Sequence, residues 1–241
     1  MEPTAPLCGI LNLDKPAGLS SARAVSRVKR LLPRGTKIGH AGTLDPFATG
    51  VLLLLIGKAT KSCERLMDQP KQYEATVKFG ATTPTDDPES EDTPYPDARP
   101  VTREQIESAV PQFVGEILQR PPAFSALKVG GRRAYDLARK GREVSLEPRK
   151  VRVYGIDLLA YEWPLLRLRI DCGRGTYIRA IARDLGEVLK VGGHLTALRR
   201  TRVGAFSVDQ SAQLEQLSAE GLPGMLRPVE GIGPPDLRGA E

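Results

Sequence analysis

The chain has 241 residues, 40% of them hydrophobic and 27% charged, a composition typical of a folded globular protein. A formal net charge of +6 favours an anionic partner, whereas three scattered cysteines and two histidines argue against a disulfide framework or a zinc site. The longest apolar run, residues 51–56, is too short to cross a bilayer and residues 1–10 do not resemble a signal peptide, so we expect a cytoplasmic protein.

One helix and two strands are predicted in the first third of the chain. The helix begins at Ser20 or Ser21 and ends before Pro33, because serine is a good N-cap and proline interrupts helices. Its apolar face consists of Val25, Val28 and Leu32. Residues 51–56 are typical of a fully buried strand, and residues 73–79 alternate apolar and polar side chains with a tyrosine first on the buried face.

The remaining elements predict a mixture of α and β structure. Residues 81–100 contain five prolines and many acids, which favours an exposed segment without regular structure. Helices are predicted from about 102 to 110 and from Thr176, as N-cap, to Leu189, and strands at 151–154, 166–172 and 203–208. The second of these helices carries an apolar stripe of Ile181, Leu185 and Val188. Residues 231–241 are typical of a disordered tail.

Charge is unevenly distributed along the chain. Residues 15–37 contain seven cations and no acid, residues 128–152 contain nine cations against three acids, and residues 81–97 contain six acids and no base. Two basic segments suggest a surface for a polyanion such as a nucleic acid. On charge alone, a solvated basic surface explains the pattern equally well.

The second basic segment has the pattern of an arm. Glycines at positions 130, 131 and 141 flank a short predicted helix at 134–140, and glycines allow the backbone to bend. An arm of this kind is suited to closing over a polyanion.

The segment from Gly39 to Gly50, G-H-A-G-T-L-D-P-F-A-T-G, surrounds one carboxylate, Asp45, with three glycines and a proline. An aspartate before proline is commonly a turn former, but glycines also allow the unusual backbone conformations of a catalytic loop. A phosphate-binding P-loop is excluded, because the glycines at 50 and 57 are separated by six apolar residues and Ala59 follows Lys58. The usual serine, zinc and cysteine hydrolase motifs are absent from the sequence.

Several ordered motifs resemble those of the bacterial tRNA pseudouridine synthases of the TruB type, which are relatives of dyskerin. The motifs are N12-L-D-K-P-A-G-L-S-S21, G39-H-A-G-T-L-D-P-F-A-T-G-V-L52, K71-Q-Y-E-A75, R120-P-P-A-F-S-A-L-K128 with G131-R-R-A-Y-D-L-A-R139, and G175-T-Y-I-R-A-I-A-R-D-L-G186 with L198-R-R200. They extend over residues 9 to about 205, which makes coincidence an inadequate explanation.

The resemblance implies an α+β pseudouridine synthase fold with a mixed, mainly antiparallel central sheet flanked by helices and loops. It implies a catalytic domain at residues 1–230, with a thumb-like RNA-clamping insertion at 121–150, followed by the flexible tail at 231–241. The C-terminal PUA domain usual in the bacterial enzymes is expected to be absent, because few residues follow Val208.

The resemblance also implies an isomerase that flips uridine 55 out of the T loop of tRNA and converts it to pseudouridine. No metal or organic cofactor is implied. The implied partner is the T stem-loop of tRNA, bound by a monomer without a guide RNA or an obligate protein partner. The alternative is a non-catalytic tRNA-binding or RNA-folding protein that retains the fold.

Residue roles follow from the same resemblance. Asp45 is the expected catalytic carboxylate, and Arg179 is expected to pair with it. Tyr73 is expected to stack on the flipped uracil, Tyr177 and Leu198 to line its pocket, and His40 to fill the space that the flipped nucleotides leave. Lys15 and Pro16 are expected to support Tyr73 from behind. The expected RNA-contacting residues of the arm are Lys128, Arg132, Arg133, Arg139, Lys140 and Arg142.

Overall fold

A computed structural model describes residues 7–125 and 146–229, together with the backbone of residues 128–129 and 132–133. The predicted helix at 134–140 and the predicted tail at 231–241 lie outside these residues. The strands are β1 (Gly9–Lys15), β2 (Ile38–His40), β3 (Thr49–Ile56), β4 (Lys71–Phe79), β5 (Ala81–Thr82), β6 (Thr93–Pro94), β7 (Gly115–Gln119), β8 (Lys128–Val129), β9 (Arg132–Arg133), β10 (Arg149–Glu162), β11 (Leu165–Cys172), β12 (Gly193–Val203), β13 (Phe206–Ser207) and β14 (Ala212–Gln213). The α-helices are α1 (Ser21–Lys29), α2 (Cys63–Met67), α3 (Arg103–Ala109), α4 (Ile178–Val188) and α5 (Leu222–Met225).

The chain divides into two compact units. The first consists of Met1–Tyr73 and Leu198–Glu241, and the second of Glu74–Ala197. The chain leaves the first unit within β4 and returns to it within β12. No helix of the described ranges is long and apolar enough to span a membrane.

The first unit is built around β3. This strand pairs with β1 in antiparallel register from Gly9 opposite Ile56 to Lys15 opposite Gly50, and it also pairs with β2. Parallel pairing joins β3 to β12 and β1 to β14. Alternate residues of β3 pack into a core whose main members are Ile10, Val51, Leu53, Leu55, Leu66, Val203 and Phe206.

The second unit contains a long antiparallel pair, β10 with β11, and β7 pairs antiparallel with β10. The rings of Phe79 and Trp163 stack with centroids 6.3 Å apart. Helix α4 presents an apolar face and a cation to the interior, since Ile181, Leu185 and Arg179 are all buried. The strand pairs of both units are mostly antiparallel with some parallel pairs, which confirms the predicted α+β class and mixed sheet.

Most predicted elements are confirmed, with small shifts at their ends. Helix α1 begins directly after Ser20, whose hydroxyl accepts a hydrogen bond from the backbone N–H of Arg23, but it ends at Lys29. The residues predicted at 51–56 are buried in β3. Strand β4 alternates buried and half-buried residues as predicted.

Three predictions are wrong. The segment 81–100 is not fully irregular or exposed, because β5 and β6 form a short hairpin and Asp87 is only 2% exposed. Tyr177, not Thr176, is the N-cap of α4, since the Thr176 hydroxyl instead donates to the carbonyl of Gly173 at 3.2 Å. Val188 is 44% exposed and lies outside the apolar stripe.

Candidate active site

Residues 39–50 form the proposed catalytic loop, which runs from β2 into β3 in the first unit. Asp45 opens a tight turn in which its own carbonyl accepts a hydrogen bond from the N–H of Ala48 at 3.2 Å. Pro46 occupies the second position of this turn, where its fixed φ is favourable. The turn is therefore closed by backbone atoms, and its hydrogen bond does not use the Asp45 carboxylate.

Two buried side chains hold the loop on either side of Asp45. The hydroxyl of Ser21 accepts from the N–H of Leu44 and donates to the carbonyl of Leu44, both at 2.9 Å. The fully buried ammonium of Lys15 donates to the carbonyls of Pro16 at 2.8 Å, Leu19 at 2.7 Å and Pro46 at 3.2 Å. The residues directly before and after Asp45 are thus both bonded to buried side chains.

A third buried side chain, Arg200 in β12, holds the start of the loop. Its guanidinium donates to the carbonyls of Val51 at 2.7 Å, Gly42 at 3.2 Å and Thr43 at 3.4 Å. A side chain at Gly50 is impossible without rearrangement, because its Cβ would lie 2.2 Å from the Arg200 carbonyl oxygen and its φ is +100°. Two of the loop's conspicuous residues are thus explained: Gly42 has a φ of +93°, which favours glycine, and Gly50 allows close approach of β12.

His40 lies at the end of β2, at the entrance to the same loop. Burial lowers its pKa from the ordinary histidine value, and the positive charge of Arg200 lowers it further, while the backbone of Gly42 acts in the opposite direction. His40 is therefore a neutral imidazole near pH 7, which suits stacking on a base better than a solvated imidazolium.

The two predicted pocket residues of the first unit, Tyr73 and Leu198, lie in strands. Tyr73, in β4, and Leu198, in β12, are each 8% exposed. Arg199 stands opposite Thr49 in the parallel pairing of β12 with β3, so its neighbour Leu198 lies beside the end of the catalytic loop. The hydrogen bonds of Lys15 to three carbonyls indicate support of the loop. The predicted support of Tyr73 by Lys15 and Pro16 stays a prediction.

Tyr177 and Arg179 lie at the start of α4 in the second unit. The side-chain amide of Gln119 fixes the backbone of Tyr177 at both groups, accepting from its N–H at 2.8 Å and donating to its carbonyl at 3.1 Å. Asp45 and Arg179 belong to different units, and their pairing stays a prediction.

Arg179 is 4% exposed and has a carboxylate partner that the sequence did not reveal, Asp87. Its guanidinium lies 3.0 Å from the Asp87 carboxylate and donates to the carbonyls of Thr85 and Phe124, both at 2.9 Å. The carboxylate also accepts hydrogen bonds from the Thr85 hydroxyl at 2.6 Å and the Glu89 N–H at 3.0 Å. Such bonding compensates the cost of burying two charges and fixes the guanidinium in one orientation.

A second ion pair lies one helical turn along α4. Arg183 lies 3.0 Å from the carboxylate of Asp86 and 2.7 Å from that of Asp184. Burial raises the pKa of Asp86 to about 6, although the charges of Arg183 and Arg179 oppose this shift. Consecutive acids on one loop thus pair with arginines four residues apart on one helix.

We expect Asp86→Asn to flatten the pH dependence of stability. Folded Asp86 retains a proton between its unfolded pKa, near 4, and its folded pKa of about 6, so the parent loses stability as pH rises through this window. Asparagine cannot ionise, and Asp184 still pairs with Arg183. Unfolding midpoints measured at about pH 4.5 and about pH 7 should therefore differ less in the variant. The exposed control Asp209→Asn should show the parental difference between the two midpoints. A parental difference in Asp86→Asn would contradict the raised pKa of Asp86.

The structure thus brings together His40, Asp45, Lys15 and Leu198 around one loop of the first unit, while Tyr177 and Arg179 lie in the second. The predicted arm residues are not described beyond their backbone: Lys128 pairs with Arg133 across β8 and β9, and residues 139, 140 and 142 lie outside the described ranges. In the part of the chain that the structure describes, no cluster of three or more histidine, cysteine or acidic residues could hold a metal ion.

Two family models match this chain along most of its length. Residues 29–178 match the N-terminal domain model of the TruB family of pseudouridylate synthases, and residues 179–232 match a model of the tRNA pseudouridylate synthase B C-terminal domain. The chain belongs to the TruB family. The N-terminal model includes Asp45, Tyr73 and Tyr177, and the C-terminal model begins at Arg179.

Curated relatives of this chain are named tRNA pseudouridine synthase B. A tRNA pseudouridine synthase B of Mycobacterium bovis is 49% identical over 222 residues, covering 90% of this chain and 74% of the relative. One of Bacteroides fragilis is 49% identical over 207 residues, covering 83% of this chain and 88% of the relative. Among solved structures, a chain of a Cbf5–Nop10–Gar1 complex superposes with a TM-score of 0.70 at 29% identity, covering 91% of this chain and 60% of that one.

Proposed function

We propose that this TruB-family enzyme isomerises uridine 55 in the T loop of tRNA to pseudouridine. The observation that carries the proposal is the catalytic loop, whose one carboxylate, Asp45, lies between backbone groups held by Ser21, Arg200 and Lys15. Clamping of this kind fixes a reactive group within a narrow range of positions, as a preorganised catalyst requires. The names of the relatives supply the substrate class, a tRNA.

Asp45 is the catalytic carboxylate in this proposal. It attacks the anomeric carbon of the ribose, attacks carbon 6 of the uracil, or removes a ribose proton. Each route leads to cleavage of the bond between uracil nitrogen 1 and the ribose, after which the base rejoins the sugar through carbon 5, loses the hydrogen of carbon 5 and gains a proton at nitrogen 1. A uridine inside a folded RNA loop is inaccessible to any protein side chain, so the nucleotide is flipped out at a cost of a few kcal/mol. Stacking and phosphate contacts offset that cost.

The remaining site residues serve the flipped nucleotide. Tyr73 stacks on the uracil from a strand, a rigid position, while Tyr177 and Leu198 supply apolar contacts. Neutral His40 fills the gap left in the RNA loop. Arg179 keeps the Asp45 carboxylate ionised and oriented, and its bonds to Asp87, Thr85 and Phe124 limit its own movement.

The RNA partner is a tRNA T stem-loop, bound by a monomer without guide RNA or protein partner. The basic segment at 128–149 clamps this stem-loop, using the cations Lys128, Arg132, Arg133, Arg139, Lys140 and Arg142. No metal or organic cofactor takes part in the proposed reaction.

A tRNA transcript labelled with tritium at uracil carbon 5 tests the proposal, because the isomerisation replaces that hydrogen when carbon 5 bonds to the sugar. We expect the purified protein to release label from a transcript with uridine at position 55 and none from one with cytidine there. Tight binding of the transcript without release of label contradicts the proposal and favours a non-catalytic RNA-binding protein.

A further inference from the structure

The exposed face of helix α1 carries a row of arginines that the site described above does not use. Arg23, Arg27 and Arg30, with Leu19 and Ser26, line an open cavity of about 300 Å³. Residues four apart on a helix lie about 5–6 Å from each other, and the row from Arg23 to Arg30 is about 10 Å long at 1.5 Å per residue. Arg23 and Arg27 lie in α1 and Arg30 is its C-cap residue, so all three line the same side of the helix.

None of these three guanidinium groups pairs with a carboxylate within the described part of the chain. Other exposed arginines do have acidic partners: Arg103 pairs with Glu107, Arg167 with Glu74 and Arg169 with Asp157. Three like charges at such spacings weaken a helix by a few tenths of a kcal/mol per pair. The row therefore opposes the stability of α1, which favours a role outside the fold.

The position of Arg23 supports the same conclusion. It lies in the first turn of α1, which contains no acid, and the helix dipole disfavours a cation at that end. Arg27 and Lys29 in the last turn are favourable to the dipole, so the dipole accounts for them but not for Arg23. An external anion explains all three arginines together.

Helix α1, which carries Arg23 and Arg27, is bonded to the proposed catalytic loop. Ser21, the first residue of α1, bonds both backbone groups of Leu44, the residue directly before Asp45. Arg23 follows two residues later, and the row then runs away from the loop along the helix. Helix α1 is therefore joined directly to the backbone segment that carries Asp45.

We propose that Arg23, Arg27 and Arg30 form a phosphate-binding face for the RNA strand that presents its uridine to Asp45. This inference rests on the proposed function, since it takes the substrate to be RNA. Guanidinium groups bind phosphate oxygens in bidentate fashion, and each contact releases counterions from the RNA.

The test compares two triple variants of equal charge. Arg23→Gln, Arg27→Gln and Arg30→Gln remove the row, whereas Arg103→Gln, Arg167→Gln and Arg169→Gln remove three paired arginines and serve as the control. Binding of an unmodified tRNA transcript is measured at several salt concentrations, and label release is measured at saturating transcript. We expect the slope of log affinity against log salt to become shallower by about 2 to 3 in the α1 variant only, with turnover at saturation unchanged.

If the slope of log affinity against log salt becomes equally shallow in both triple variants, the proposal is overturned, because the loss of three positive charges then explains the change wherever they lie. A parent-like slope in the α1 variant also overturns it. A triple Arg→Lys variant of the row should retain the slope, and each single Arg→Gln variant should lose about 0.7 to 0.9, so the proposal stays testable if the triple Gln variant folds poorly. Absence of label release by the parent contradicts the proposed reaction, but the change in binding slope still tests the arginine face.

Discussion

Asp45→Asn is expected to lower pseudouridine formation by about 10⁴-fold or more while leaving tRNA binding nearly intact. Removal of a group that bonds to or deprotonates the substrate typically costs this much. Asparagine has almost the same shape, and the turn it occupies is closed by the backbone bond between residues 45 and 48, so the loop should keep its conformation. Release of tritium from a transcript labelled at uracil carbon 5 measures the loss.

A matched control removes the same charge from the same unit. Asp209→Asn changes an exposed aspartate near β13, and we expect it to release label at the parental rate. Circular dichroism of Asp45→Asn should match that of the parent, since the three side chains that hold the loop are unchanged. Turnover by Asp45→Asn close to that of the parent would remove Asp45 from its catalytic role.

Local sequence patterns predict the elements that carry the site. Alternation of apolar residues correctly locates β4, and the unbroken apolar run correctly locates the buried part of β3. Serine as N-cap correctly locates the start of α1. These predictions succeed because periodicity and capping depend on residues close together in the sequence.

The support of the site depends on contacts between distant parts of the chain, and the sequence pattern does not reveal it. Arg200 lies about 150 residues from the carbonyls it holds, and Asp87 lies 92 residues from Arg179. An acidic, proline-rich segment is normally exposed, which is why the sequence predicts exposure of residues 81–100. Pairing of Asp87 with a buried cation on α4 reverses that preference. The only sequence signal for Arg200 is its place in the L198-R-R200 motif.

The glycines of the loop also make long-range contacts that local sequence patterns do not reveal. The sequence indicates that the proposed catalytic loop needs glycines. It does not indicate which part of the chain packs closely against each of them. The structure gives Gly50 a close backbone contact with Arg200 and a positive φ. Long-range backbone approaches of this kind follow from the pairing of β3 with β12, which no local pattern specifies.

The second large effect is expected at Asp87. Asp87→Asn breaks the buried ion pair between Asp87 and Arg179, and removal of one partner of such a pair typically lowers the free energy of unfolding by about 3–5 kcal/mol. The guanidinium also loses an anchor, and a displacement of about 1 Å at a catalytic group costs roughly 10²-fold in rate. Chemical denaturation measures the first effect, and label release well below the unfolding midpoint measures the second.

Asp86→Asn is the matched control, because it makes the same change at the adjacent residue, whose partner Arg183 retains Asp184. We expect it to keep the parental rate. Combining Asp87→Asn with Arg179→Gln should destabilise the protein by less than the sum of the single effects, since each single change already breaks the ion pair between these two residues. Additive losses of stability would show that Asp87 and Arg179 do not act as a unit. Parental activity in Asp87→Asn would show that Asp87 does not hold Arg179 for the reaction.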